Sequence, residues 1–331
     1  MRICVYGAGA IGGHIAARLA KGGAEVSVVA RGPHLQAMQA QGLTVEAADG
    51  LLHCRPRASA NPAELGPQDA VIVTVKAPAL ASVAAGIAPL LRPDTAVAFV
   101  MNGIPWWYWD GTPEAGRRLP LLDPGDAVRQ AVGIGRTLGG VVYSAATVTR
   151  PGHVQALAPD NRVVLGEVDG AITPRLQALA AAIAAGGMGG IAVPDIRAAV
   201  WLKLLGNMMT GPLCLLARSS MRDTLADPVL RQAAVAAARE VMAIAAAHGH
   251  PVTGQAPEER IARSARIAHR PSILQDLEAG RPMEIDALFA VPLRMAREAG
   301  VPTPVLDLTV ALATRVAIAA GLHRPPEGEM P

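Results

Sequence analysis

Gly7, Gly9 and Gly12, set as G-x-G-x-x-G in "YGAGAIGG", are the first residues of this 331-residue chain whose types and spacing suit a particular chemistry. The first glycine allows a tight turn, the second lets a pyrophosphate approach the backbone, and the third lets a helix pack closely on a strand. A bound phosphate then meets the positive N-terminus of that helix. The turn, with Ala10 and Ile11 inside it, is therefore expected to hold a dinucleotide. An incidental glycine-rich turn is the competing reading, and the strand-like and helix-like flanks argue against it.

The end of the next apolar run selects among dinucleotides. An NAD site normally places Asp or Glu there for the ribose hydroxyls, whereas this chain has Ala30-Arg31 and no acid. A guanidinium offers planar, bidentate donors and a fixed charge to a 2′-phosphate. Arg31 thus points to NADP(H), against the alternative of a solvated arginine at a strand end. Lysine usage adds a second clue: of 30 basic side chains 27 are arginine, leaving Lys21, Lys76 and Lys203. Such a sequence retains lysine where a compact ammonium with a tunable pKa is useful. Lys76 ends an apolar run in the cofactor region, and Lys203 shares one helical face with Asn207, four residues on. A buried lysine facing a cleft has its pKa lowered toward the range for proton transfer. A snorkelling helix lysine is the alternative. Farther on, "RPSILQDLEAGRPMEID" supplies Ser272, Asp276, Arg281, Glu284 and Asp286. Hydroxyl or carboxylate groups near one ammonium can orient a polyfunctional substrate, and each taken singly also suits a helix cap or surface charge.

These residues need elements to position them. "RICVY" reads as a strand, "HIAARLAKGG" as a helix with a glycine stop, and "AEVSVVA" as a second strand. "DAVIVTVKA" and "TAVAFVMNG" are near-continuous apolar strands of the kind buried on both faces, with "ALASVAAGIAPLL" as an intervening helix. The alternation predicts an α/β fold with a parallel, doubly wound sheet of the Rossmann type. From about Ile191 the stripes are helical throughout, so the expected division is an α/β domain at 1–190 and an all-helical domain at 191–331. The cleft between two such domains is the default place for chemistry.

Composition narrows the class. At 331 residues two cores are expected, and the 51% hydrophobic content, rich in alanine with 3% aromatics, suits packed helices rather than a β-sandwich. A net charge of +3 from scattered arginines gives no nucleic-acid or anionic-membrane surface. Cys4, Cys54 and Cys214 lack metal-ligand spacing and read as reduced thiols. The N-terminus has no cleavable apolar region, and the longest uncharged segment, Leu176 to Pro194, is broken by "GGMGG", a poor membrane span. A cytoplasmic enzyme without membrane or nucleic-acid partners is the expectation.

The glycine turn, "VARG" with Arg31, "VKA" with Lys76, "NG" with Asn102, "WLKLLGN" with Lys203 and Asn207, "SILQDLEAGRPMEID" and "GVPTPVLD" together resemble the ketopantoate reductase (2-dehydropantoate 2-reductase) family. The resemblance covers nearly the whole chain, with the motifs in the family's order. It implies an N-terminal Rossmann domain, a helical C-terminal domain like that of 6-phosphogluconate dehydrogenase, and NADPH-dependent reduction of 2-oxopantoate to pantoate. Carried over by position, Lys203 protonates the developing alkoxide, Asn102 and Asn207 position the substrate, and Ser272 binds its carboxylate side. Glu284 holds the substrate hydroxyl and helps orient Lys203, Arg31 grips the 2′-phosphate, and Lys76 and Asn102 line the cofactor site with Gly7, Gly9, Ala10, Ile11 and Gly12. A homodimer is the expected assembly. Departures fall beside the substrate: Gly211 stands where the family often has a second asparagine, Phe289 and Ala290 where an Asn-Gly pair is common, and Pro292 is expected to kink its helix.

Four of the nine aromatic residues lie side by side at Trp106, Trp107, Tyr108 and Trp109, in the loop "NGIPWWYWDG". No single helix or strand buries four adjacent rings on one face. Such a loop can wall the substrate pocket, meet a partner subunit or plug a core. A small polar keto acid does not need four rings, so a reductase or dehydrogenase of the same architecture for a bulkier 2-oxo acid or secondary alcohol is the second reading. A nonenzymatic NADP-binding sensor is the third, and the Lys203, Asn207, Ser272 and Glu284 set argues against it.

Overall fold

Short runs of valine, isoleucine and alanine, buried on both faces, build the sheet that carries the glycine turn. The computed structural model describes residues 1–254 and 256–325. Its strands are β1 (Arg2–Tyr6), β2 (Glu25–Val29), β3 (Leu43–Ala47), β4 (Gly50–Cys54), β5 (Arg57–Ser59), β6 (Ala70–Val73), β7 (Ala96–Val100), β8 (Thr137–Tyr143), β9 (Thr147–Arg150), β10 (His153–Ala156), β11 (Arg162–Glu167) and β12 (Gly189–Ala192). The helices are α1 (Ala10–Lys21), α2 (Gly32–Gln41), α3 (Leu80–Gly86), α4 (Ala127–Val132), α5 (Pro174–Ala185), α6 (Ile196–Ala217), α7 (Met221–Ala226), α8 (Pro228–Ala247), α9 (Pro257–Ser264), α10 (Ser272–Glu278), α11 (Val291–Glu298) and α12 (Pro304–Ala319).

The large sheet runs β5-β2-β1-β6-β7-β8-β11-β12. Pairing is parallel from β5 through β8, in agreement with the expected doubly wound sheet, and β11 then lies antiparallel to β8. The reversal follows from the connection: β9 and β10 intervene with no crossover helix, and only a crossover returns a chain in the parallel sense. A second sheet, β4-β3-β10-β9, was not foreseen from the sequence. It covers α1, which is buried from Gly12 to Leu19 and packs on β1 and β2. The expected long helix after Lys76 is shortened to α3, with 3₁₀ turns at Ala77–Ala79 and Ala88–Leu90. Pro78 and Pro89 hold these turns out of the helix.

Two compact units result. One comprises Met1–Met101 and Pro105–Ile196, the other Asn102–Ile104 and the chain from Arg197 onward. The expected boundary after residue 190 cuts β12, whose pairing with β11 keeps Ile191 and Ala192 in the sheet, so the division falls at Ile196. The second unit is helical. Its 22-residue α6 is long and apolar enough to cross a membrane by length and composition, yet 67% of its apolar window is buried inside the protein. Residues 176–194 form instead all but the first two residues of α5, and the strand β12.

Candidate active site

In the α/β unit, β1 delivers the chain into the glycine turn. Gly7 adopts φ +100°, a region closed to side chains, and the turn is pinned by Gly7 N–H donating to Val29 O at 3.0 Å and Thr74 Oγ1 donating to Gly7 O at 2.8 Å. A Cβ on Gly12 would lie 2.3 Å from Gly7 O, so helix and strand touch backbone to backbone there. Gly9 is different: a Cβ added to it meets nothing within 4 Å. The open space stands at the start of α1, whose first turn has neither a side-chain cap nor an acidic residue. Uncapped N–H groups facing open space suit a pyrophosphate.

Arg31 is exposed at the start of α2, two residues after β2. Its charge reaches the C-terminal end of β1, where it opposes the burial that raises the pKa of Tyr6. Lys76 is half-buried, three residues after β6. Both therefore follow the C-terminal ends of parallel strands, the edge at which open α/β sheets bind ligands.

The remaining candidate substrate and catalytic residues belong to the helical unit. Lys203 and Asn207 lie one turn apart on α6, both half-buried among the buried Leu204, Leu205 and Met208. Asn102 Nδ2 donates to Glu284 Oε2 at 3.3 Å, and Glu284 is only 5% exposed. Ser272 opens α10 and is exposed. Asp276 and Arg281 pair with each other, Arg281 Nε donating to Asp276 Oδ1 at 3.0 Å and Arg281 N to Asp276 O at 2.9 Å. That pair closes the end of α10, which accounts for both residues structurally. Asp286 faces His323, with 3.8 Å between Oδ1 and Nε2. Nothing in the sequence marked His269, whose residue is exposed overall. Its ring pKa is pushed down by the covered part of the ring and then by the charge of Lys203. Among the described residues no group of three or more His, Cys, Asp or Glu is placed to hold a metal ion.

The aromatic run is core. Trp106, Trp107, Tyr108 and Trp109 are each 4% exposed or less. Consecutive turns, not a helix or strand, send the rings in different directions, with Tyr108 N bonded to Pro105 O and Asp110 N to Trp107 O. Trp106 meets Phe99 edge-on at 5.3 Å, and Tyr108 meets Trp109 at 4.9 Å. Trp107 fills the space over Gly139 of β8, where a Cβ would lie 2.4 Å from its ring. Arg117 stacks over Trp109, and Arg129 lies over Trp106 while holding Asp110 through two 2.7 Å hydrogen bonds. Rings covered in this way plug the α/β unit, and the reading of the run as a pocket wall is corrected accordingly.

The family model described as "Ketopantoate reductase PanE/ApbA" matches residues 3–170, and its C-terminal counterpart matches residues 195–317. This chain belongs to the ketopantoate reductase family. A 2-dehydropantoate 2-reductase from Mesorhizobium japonicum is 40% identical, covering 98% of this chain and 100% of that protein. A crystal structure from Ralstonia solanacearum MolK2, carrying a ketopantoate reductase assignment, is 41% identical with a TM-score of 0.90, over 97% of this chain and 99% of that one. The structure of 2-dehydropantoate 2-reductase from Methylococcus capsulatus gives 28% identity and a TM-score of 0.81, over 99% of this chain and 100% of that one. The chain is thus an oxidoreductase-family member with a Rossmann-like sheet and a helical C-terminal unit. Gly211 and Phe289 are neighbours: the Phe289 ring lies 3.7 Å from where a Cβ on Gly211 would stand, an ordinary van der Waals distance.

Proposed function

We propose that the chain reduces 2-dehydropantoate to pantoate with NADPH, and the observation that carries the reading is the hydrogen bond between Asn102 and the buried carboxylate of Glu284. It joins two residues that the family resemblance assigns to the substrate and that stand 182 positions apart. The glycine turn fits the dinucleotide, because Gly9 leaves room over the uncapped start of α1. Arg31 takes the 2′-phosphate, and Lys76 lines the same site. When bound, NADPH supplies a hydride to the 2-oxo carbon.

The chain's own residues do the rest. The Lys203 ammonium gives its proton to the oxygen that becomes the hydroxyl, and its positive charge offsets the negative charge developing there. Asn207, one turn along, and Asn102 hydrogen-bond the reacting keto acid. Ser272 takes the carboxylate side, and Glu284 accepts from the substrate hydroxyl and helps orient Lys203. In this reading the helical unit binds substrate and mediates a homodimer, and the enzyme works in the cytoplasm. The bulkier-substrate alternative drew its main support from the rings at 106–109, which are covered; the departures at Gly211, Phe289 and Ala290 are what still favours it.

Measuring oxidation of NADPH and NADH against a panel of 2-oxo acids that includes ketopantoate tests the proposal. Ketopantoate with NADPH is expected to give the highest kcat/KM. A higher value for another 2-oxo acid replaces the substrate, and no turnover of any overturns the enzymatic reading.

A further inference from the structure

Pro292 removes a hydrogen-bond donor from the turn that carries Ala287. Across Asp286–Ala290 the helix is π-helical, and Val291 N donates to Asp286 O, five residues back. On that pattern the next donor, to Ala287 O, is residue 292, and proline has no N–H. In an α-helix Val291 N would serve Ala287 O, but it is committed to Asp286. The Ala287 carbonyl is left over by its own helix, and the Ile104 amide takes it at 2.9 Å.

The residues before Ile104 are seated on the same turn. Gly103 runs at φ +80°, and a Cβ there would stand 2.3 Å from Ala287 O. Asn102 donates to Glu284 Oε2 at 3.3 Å, while Glu284 O accepts from Leu288 N at 3.1 Å. Three consecutive residues that follow β7 are fixed against one irregular turn, and the irregularity frees the acceptor that holds them.

We infer that Pro292 is a positioning residue for the reaction: by withholding an N–H it reserves the Ala287 carbonyl for Ile104 and so holds Asn102 against Glu284. The inference rests on the reading of Asn102 and Glu284 as substrate-binding residues. Pro292 touches neither the substrate nor Glu284 in this role; it acts through the turn.

Pro292→Ala in the full-length protein supplies the missing N–H and lets the turn relax to α-helical pairing, in which Ala287 O is claimed from within the helix. Amide hydrogen exchange at Ile104 is expected to accelerate by at least about tenfold. The kcat for ketopantoate is expected to fall by about fivefold or more as Asn102 loses its placement. NADPH affinity and Tm should hold, because alanine is the better helix former. Gly103→Ala attacks the same contact from the other side, so the two substitutions should be non-additive in a double-mutant cycle. Parent-like Ile104 protection in P292A overturns the inference, as does faster exchange with unchanged kcat and KM. A loss of Tm in parallel with kcat also overturns it, since general loosening then explains both. If the parent itself does not reduce ketopantoate, the functional reading fails alone. Ile104 exchange and the NMR shift of the Asn102 side-chain amide in P292A then still decide whether Pro292 places Asn102.

Discussion

Lys203 and Arg31 carry the proposed chemistry at the scale of single residues, and each can be removed without touching the other. Lys203→Ala is expected to lower kcat by at least about a hundredfold with NADPH affinity nearly unchanged, because general acid catalysis contributes on that scale. Steady-state kinetics and an NADPH titration check it, and an active variant removes the lysine from the reaction. Arg31→Ala should weaken NADPH by about 1.5–3 kcal/mol, roughly ten- to a hundredfold, through loss of a charge-assisted phosphate contact. NADH affinity should hardly change, since its adenosine ribose carries no 2′-phosphate. Equal NADPH binding by variant and parent takes Arg31 out of the site.

The elements divide by how openly their sequences declare them. The glycine turn was legible because steric need dictates composition: Gly7 requires positive φ, and Gly12 faces a backbone oxygen 2.3 Å from where its Cβ would be. The strands of the large sheet were legible through their apolar runs. The second sheet was not, because "LTVEA" and "HVQA" alternate over only a few residues and expose one face. Nor did "TLGGVVY" announce β8, since Gly139 is there to admit Trp107. The site residues came mostly from family resemblance, as no spacing rule joins Asn102 to Glu284. The buried aromatic turn gives an element-scale prediction. Trp107→Ala should cost about 3–5 kcal/mol by emptying the space over Gly139. Chemical denaturation reads that loss, and relative kcat/KM across 2-oxo acids should stay constant. A change in substrate preference with intact stability would return the ring to a pocket.

At the scale of the whole molecule, acid stability depends on a network buried between α1 and the second sheet. Arg18 Nε donates to His14 Nε2 at 3.1 Å, so the neutral His14 ring keeps its proton on Nδ1, 3.1 Å from Ser144 Oγ. Burial, with the Arg18 charge second, lowers the His14 pKa from 6.5 to about 4. Between those values the unfolded chain binds a proton that the folded one refuses, so stability falls as pH drops from 6.5 to about 4. The accumulated loss is roughly 3 kcal/mol, and His14→Gln should flatten it in denaturation curves taken across that range. Asp49, held far below the usual carboxylate range by Arg18 and then Lys21, acts in a separate window: its contribution is lost only as pH falls below 3.8. Asn102–Ile104 have a consequence of another kind. They leave the ribosome 182 residues before the carboxylate that Asn102 meets, and the α/β unit is complete once Ile196 is made. A nascent chain can therefore own a finished glycine turn while its asparagine still waits for Glu284. On the proposed assignment, cofactor affinity is expected to precede turnover during synthesis, and a translation product that stops before Glu284 is expected to bind NADPH without reducing substrate.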